Sequence, residues 1–278
     1  MAERFKAAVL KTAEVTSLRG FESHPLRHSC TLQGDWTLRT AGQGLGFGDV
    51  LDAGFQVFRA SFWQFALAQA IVAIPVAVIQ AIWMPDVLPR GPAQSASLFL
   101  AHAPVSLLIG VLGMLQTAAV VVVAHQAAYG REATALGGYA QAIRRFPEVL
   151  GFGLVYAVAI GVGIAIVIIP GIAVAVWLSQ GIFLIVLGNR GILQGIVESY
   201  RLVAGRFWRI LGIALVAFLM VSIVNLLVAV LISAATGRSA VTAVVTTVVS
   251  ILIGSFPIIA LYIQYRDIAG LPSAPRGD

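Results

Sequence analysis

The chain has 278 residues, 59% apolar or aromatic and only 11% charged, against roughly 25% charged in ordinary soluble domains. A mean hydropathy of +0.93 excludes both a soluble globular domain and a disordered chain. The net charge is +6, but Lys and Arg stand at the ends of apolar runs rather than on one soluble face, so nucleic acid is excluded as a partner and membrane lipid is expected.

Residues 1–46 are polar and mixed in charge, with turn formers at Gly34, Gly42, Gly44 and Gly46. They read as a flexible cytoplasmic tail, although a start codon placed too early would leave the same pattern. His24, His28 and Cys30 are three metal-ligand types within it. Three ligands without a fourth or a supporting shell make a poor site, and no metal or cofactor is expected. Cys30 is the single cysteine, which excludes an intramolecular disulfide. The run Ala7-Ala8-Val9-Leu10 is too short for a signal-peptide core, so the first span is expected to act as the insertion signal.

A membrane crossing needs about 20 apolar residues. Six such spans are expected, at about 62–82, 104–124, 149–169, 171–187, 210–232 and 240–263. Pro75 should kink the first. The third and fourth come from one uncharged stretch, Val149 to Leu187. As a single helix it would be about 58 Å long, nearly twice the hydrocarbon thickness, so it must fold back; Pro170-Gly171 is the expected break. Thr236-Gly237-Arg238 turns the fifth span into the sixth. Together residues 47–268 form the membrane domain, and residues 269–278 a second cytoplasmic tail.

With the N-terminus inside, the inside segments hold 16 Lys and Arg and the outside segments two, Arg90 and Arg238. The positive-inside rule therefore places both termini in the cytoplasm. Each inside segment leads into its span through an amphipathic stretch. These are 48–61 (with Val50, Leu51, Phe55 and Phe58), 138–148, and 191–209 (with Ile192, Ile196, Tyr200 and Val203). Two of them end in Phe-Trp, at Phe62-Trp63 and Phe207-Trp208. The pattern reads as three units of interfacial helix plus transmembrane hairpin. Inside loops of membrane proteins are commonly basic and amphipathic, so the repeat has a second explanation.

The spans as read contain no Asp, Glu, Lys or Arg, which argues against an ion-coupled transporter. Their deep polar residues are Gln116, Gln180 and Asn225, with Ser222, Thr242, Thr246 and Thr247. They line a polar cavity or make interhelical hydrogen bonds worth about 0.6 kcal/mol each. Gly110 and Gly113, Gly151 and Gly153, and Gly161 and Gly163 are read as close-packing positions. Arg190, Arg201, Arg206 and Arg209 share one inside loop. They bind phosphate headgroups through their guanidinium forks, or they only set topology and anchor the interface. Glu198 is expected to pair with Arg201, three residues on.

The segment ILQGIVESYRLVAGRFWRILGI (192–213) resembles a bacterial membrane-domain family found fused to some glycerophosphoryl diester phosphodiesterases. Gly48 to Phe62 (GDVLDAGFQVFRASF), the Pro170-Gly171 break and Leu261 to Asp267 (LYIQYRD) extend the resemblance over about residues 47–268. It implies a six-helix integral membrane domain. It implies no phosphodiesterase activity here, because the four histidines, His24, His28, His102 and His125, have no accompanying carboxylate cluster.

The expected fold is therefore all-α: a polytopic bundle of six transmembrane helices with cytoplasmic amphipathic interfacial helices. The expected function is that of a non-enzymatic bacterial inner-membrane protein, structural or accessory, touching lipid headgroups, a protein partner or a second copy of itself. The alternative is a transporter or permease-like subunit for a lipid-like or small amphiphilic substrate.

Overall fold

The computed structural model describes residues 45–83, 92–166, 168–236 and 240–270, and every element among them is an α-helix. In chain order these are α1 (Phe47–Ala60), α2 (Phe62–Trp83), α3 (Pro92–Ala128), α4 (Ala135–Arg144), α5 (Phe146–Ile166), α6 (Ile168–Leu178), α7 (Gly181–Val186), α8 (Ile192–Val203), α9 (Phe207–Thr236), α10 (Ala240–Ile253) and α11 (Phe256–Ile268). Among the described residues, six segments are long and apolar enough to cross a membrane: Phe62–Gln80, Ala103–Ala128, Phe146–Ile164, Ile169–Val186, Phe207–Ala235 and Val244–Ile268. The chain is an all-helical, six-span membrane protein. The His24, His28 and Cys30 group lies outside the described residues, as do residues 1–44 of the expected N-terminal tail and 271–278 of the expected C-terminal tail.

Two spans are broken. The fourth is α6 plus α7, parted at Ser179-Gln180; the sixth is α10 plus α11, parted at Gly254-Ser255. Pro257 explains the second break. It falls in the first turn of α11, where a missing N–H is harmless. The hairpin between spans 3 and 4 turns earlier than expected. α5 ends at Ile166 and α6 starts at Ile168, so Pro170 sits in the first turn of the new helix rather than at the break. Gly163 and Gly171 then meet backbone to backbone: a methyl group at Gly163 would lie 2.7 Å from the Gly171 Cα. Pro75 is accommodated inside α2, which continues through it.

The three short helices α1, α4 and α8 each bury one face: Val50, Ala53, Gly54, Val57 and Phe58 on α1; Ala135, Gly138, Tyr139 and Ala142 on α4; Gly195, Ser199 and Val203 on α8. Each packs on the hairpin before it. α4 lies on α2 and α3, and α8 on α6 and α7, while α1 closes the ring by packing on α9 and α11 of the last hairpin. A glycine makes each contact close. A methyl group would sit 3.4 Å from the Ala260 Cα at Gly54, 2.8 Å from the Ala119 carbonyl oxygen at Gly138, and 2.9 Å from the Ile185 side chain at Gly195. The three-unit pattern in the sequence is thus a repeated packing arrangement.

Spans 2, 4 and 6 meet at the centre. α3 packs against α7 and α11, and the Phe183 ring lies 6.0 Å from Tyr262 and 5.3 Å from Tyr265. Packing is concentrated at the end that carries α1, α4 and α8, here termed the basic end. There Phe65, Ala68, Val120 to Ala124, Val149, Phe152, Ile210, Ile213 and most of α11 are buried. Toward the far end Val78, Val158, Val162, Leu226, Leu231 and Val244 are exposed. Burial is therefore concentrated at the basic end.

Candidate functional site

The basic end contains the four arginines, but they do not form one cluster. Arg190 pairs with Glu198 at 3.2 Å, so Glu198 serves Arg190 and not Arg201 as the i, i+3 spacing had indicated. Arg209 is a structural clasp. Its guanidinium donates to Asp267 at 2.9 Å and to the Leu45 carbonyl, and Asp267 accepts the Leu45 N–H at 3.0 Å. The start of α1, the start of α9 and the end of α11 are thereby tied at one point. Arg201 and Arg206 remain exposed, with no ion pair among the described residues.

The surface beside them is apolar. Leu193, Val197 and Tyr200 form an exposed stripe along α8, and Trp208 is 80% exposed at the start of α9. Between α8 and α6 runs a groove of about 340 Å³ lined only by Val174, Trp177, Leu178, Ile196, Val197 and Tyr200. Ser199, fully buried, donates to the Trp177 carbonyl at 2.7 Å and holds α8 against the groove's other wall. α4 is pinned in the same manner. Its Ala135 N–H donates to the Gln64 side chain at 3.0 Å, and the Tyr139 hydroxyl to the Ala68 carbonyl at 2.7 Å. Burial pushes the Tyr139 phenol up to about 12, which keeps the donating proton in place.

A second feature lies between spans 1, 2 and 6. It is a cavity of about 440 Å³ whose polar lining comes from Gln69 and Gln80 of α2, Gln116 of α3, and Thr246, Thr247 and Ser250 of α10. Its floor is closed: Gln69 is 7% exposed and Val72 5%. Gln80, eleven residues further along α2, is exposed at the other end. Gly113 also lines the cavity, and a Cβ there would meet nothing within 4 Å. Gly110 and Gly161 likewise face open space, whereas Gly151, Gly153 and Gly163 sit against neighbouring atoms, so only part of the glycine set is close-packed.

The three deep amides and carboxamides singled out from the sequence have different surroundings. Gln116 lines the cavity. Asn225 bridges spans 5 and 6, donating to the Val221 carbonyl at 3.0 Å and accepting from the Ser250 hydroxyl at 2.7 Å. Gln180 is sealed at the break of span 4, donating to Ser179 at 3.1 Å. Sequence reasoning missed Gln69 and Gln80. Their spacing of eleven, three helical turns, was the available signal.

It also missed the polar junction where spans 2 and 6 meet. His125 Nδ1 and the Tyr262 hydroxyl lie 2.9 Å apart, and the Arg266 guanidinium stacks 4.8 Å over the Tyr129 ring. Arg266 and Asp267 fall inside the apolar window of span 6, so that span carries charge at its last turn. Among the described residues, no group of three or more His, Cys, Asp and Glu is placed to hold a metal.

The chain matches no protein-family model, and neither a curated protein nor a solved structure shows similarity to it.

Proposed function

We propose that the protein is a non-enzymatic component of the bacterial inner membrane, with both termini cytoplasmic, that holds anionic lipid headgroups at its α8–α9 corner. The observation that carries this reading is the pairing of two exposed arginines without a carboxylate partner among the described residues, Arg201 on α8 and Arg206 in the turn after it, with the apolar stripe and groove of α8. An amphipathic helix at the headgroup level buries such a stripe in the acyl boundary, and each basic residue there adds about 1 kcal/mol of attraction to anionic lipid. Trp63 and Trp208, both strongly exposed at the basic end, fit the aromatic belt of that interface. The imbalance of Lys and Arg between the loops supports the cytoplasmic placement. Arg190 and Arg209 contribute to the fold rather than to the headgroup contact, because each already has a carboxylate.

Kinship with the phosphodiesterase-associated membrane domains is part of this proposal, and it rests on residues 192–213 and the shorter matching segments alone. The test is lipid retention. Purified from a membrane containing phosphatidylglycerol, the Arg201→Gln/Arg206→Gln protein should carry several-fold less of that lipid than wild type. Arg190→Gln should not lower retention comparably. Equal retention by the double variant and wild type would remove the basis of the reading.

A further inference from the structure

We propose that the cavity between spans 1, 2 and 6 is a binding site for an uncharged amphiphile whose headgroup carries hydroxyl groups. The inference uses none of the α8–α9 residues and stands apart from the headgroup reading.

The lining sets the ligand class. Gln69, Gln80 and Gln116 place three carboxamides around one space, and none of the three has a hydrogen-bond partner among the described residues. Each amide has two N–H donors and a carbonyl acceptor, so the site can both donate and accept. Such groups are costly to leave unsatisfied at membrane depth, and one of these, Gln69, is more than nine-tenths buried at the closed floor. They need hydroxyl or water partners. Charge is the second constraint. No Asp, Glu, Lys, Arg or His lines the cavity, so an ionised headgroup would be buried there without a counter-charge.

The shape sets the rest. The polar positions on α2 spread over roughly 16 Å of helix, from the closed floor to the exposed Gln80. Val72, Val76, Ile109 and Ile251 form the apolar wall between them. That order suits a small polar head inserted toward Gln69 and Gln116, with alkyl chains leaving past the open end along exposed apolar residues of α2 such as Ile74 and Val78.

The probe is 1,2-dioleoylglycerol, a neutral lipid with one free hydroxyl. The control ligand is dioleoylphosphatidylglycerol. Full-length protein in polyoxyethylene micelles is titrated with each and read by native mass spectrometry. Gly113→Leu fills the cavity from a position where a side chain meets nothing. Gly110→Leu adds the same bulk one turn away, outside the lining.

Wild type and Gly110→Leu should bind one dioleoylglycerol. Gly113→Leu and Gln69→Leu/Gln116→Leu should bind it at least tenfold more weakly and keep their phosphatidylglycerol adducts. Gln80→Leu, at the exposed end, gives the same readout without touching the packed floor. Undiminished dioleoylglycerol binding by Gly113→Leu and Gln80→Leu would overturn the proposal. So would a cavity holding water alone, seen as no adduct on wild type, or loss of both lipids together on cavity filling.

Discussion

At the scale of single residues, a few polar side chains fix positions that apolar packing leaves loose. Membrane lipid supplies no hydrophobic drive between helices, so close approach and hydrogen bonds carry more of the specificity. Arg209 and Asp267 show this best. They lie 58 residues apart, and both also hold the backbone of Leu45, so one ion pair joins three chain segments. Hydrogen bonds to charged groups contribute about 1.5–3 kcal/mol each, and partial exposure reduces that. Asp267→Asn should therefore lower stability against unfolding in detergent by about 1–3 kcal/mol. It should also expose the start of α1 to limited proteolysis before the rest of the bundle. An unchanged proteolytic pattern would mean that the clasp does not hold α1. None of this was legible in the sequence. The nearest oppositely charged residue suggested Glu198–Arg201, whereas the fold turns Glu198 to Arg190 and gives Arg209 a partner from the far end of the chain.

At the scale of elements, what the sequence made plain was governed by one energetic rule. Charged side chains are expensive in hydrocarbon, so the uncharged runs had to be spans, and the six expected segments coincide closely with the six apolar helices. Interruptions inside spans obey weaker local rules. Gly254-Ser255-Phe256-Pro257 contains a readable helix-breaking signal. Ser179-Gln180 contains none, and its break depends on tertiary packing, with the Phe152 ring set against Gly181. The cavity was legible only in part. Gln116 stood out as a deep amide, but Gln69 and Gln80 belong to the site only because α10 faces α2 across a gap.

The α5–α6 hairpin gives the sharpest element-level prediction. Gly163→Leu forces a side chain into the Gly171 backbone and should destabilise by about 1–3 kcal/mol, the usual range for overpacking. Gly161→Leu, one residue pair away and facing open space, should be neutral or slightly stabilising through helix propensity. Thermal unfolding of the two variants in the same detergent checks this, and equal effects would refute the close crossing.

At the scale of the whole molecule, three helix-and-hairpin units are joined in a ring, each short helix covering the hairpin before it. The arrangement concentrates burial at the basic end and leaves a cavity between spans 1, 2 and 6. A platform of short helices at the basic end and a polar cavity between spans are thus separate features of the bundle. The platform presents arginines and aromatics, and the cavity presents neutral amides.

The central claim is that this platform faces the cytoplasm, and thiol labelling tests it most directly. With Cys30→Ser as background, single cysteines replace Glu132, Arg201 and Arg238 and are exposed to a membrane-impermeant maleimide on intact spheroplasts. Glu132→Cys and Arg201→Cys should react only after permeabilisation, and Arg238→Cys should react without it. Labelling of Arg201→Cys in intact spheroplasts would contradict the account.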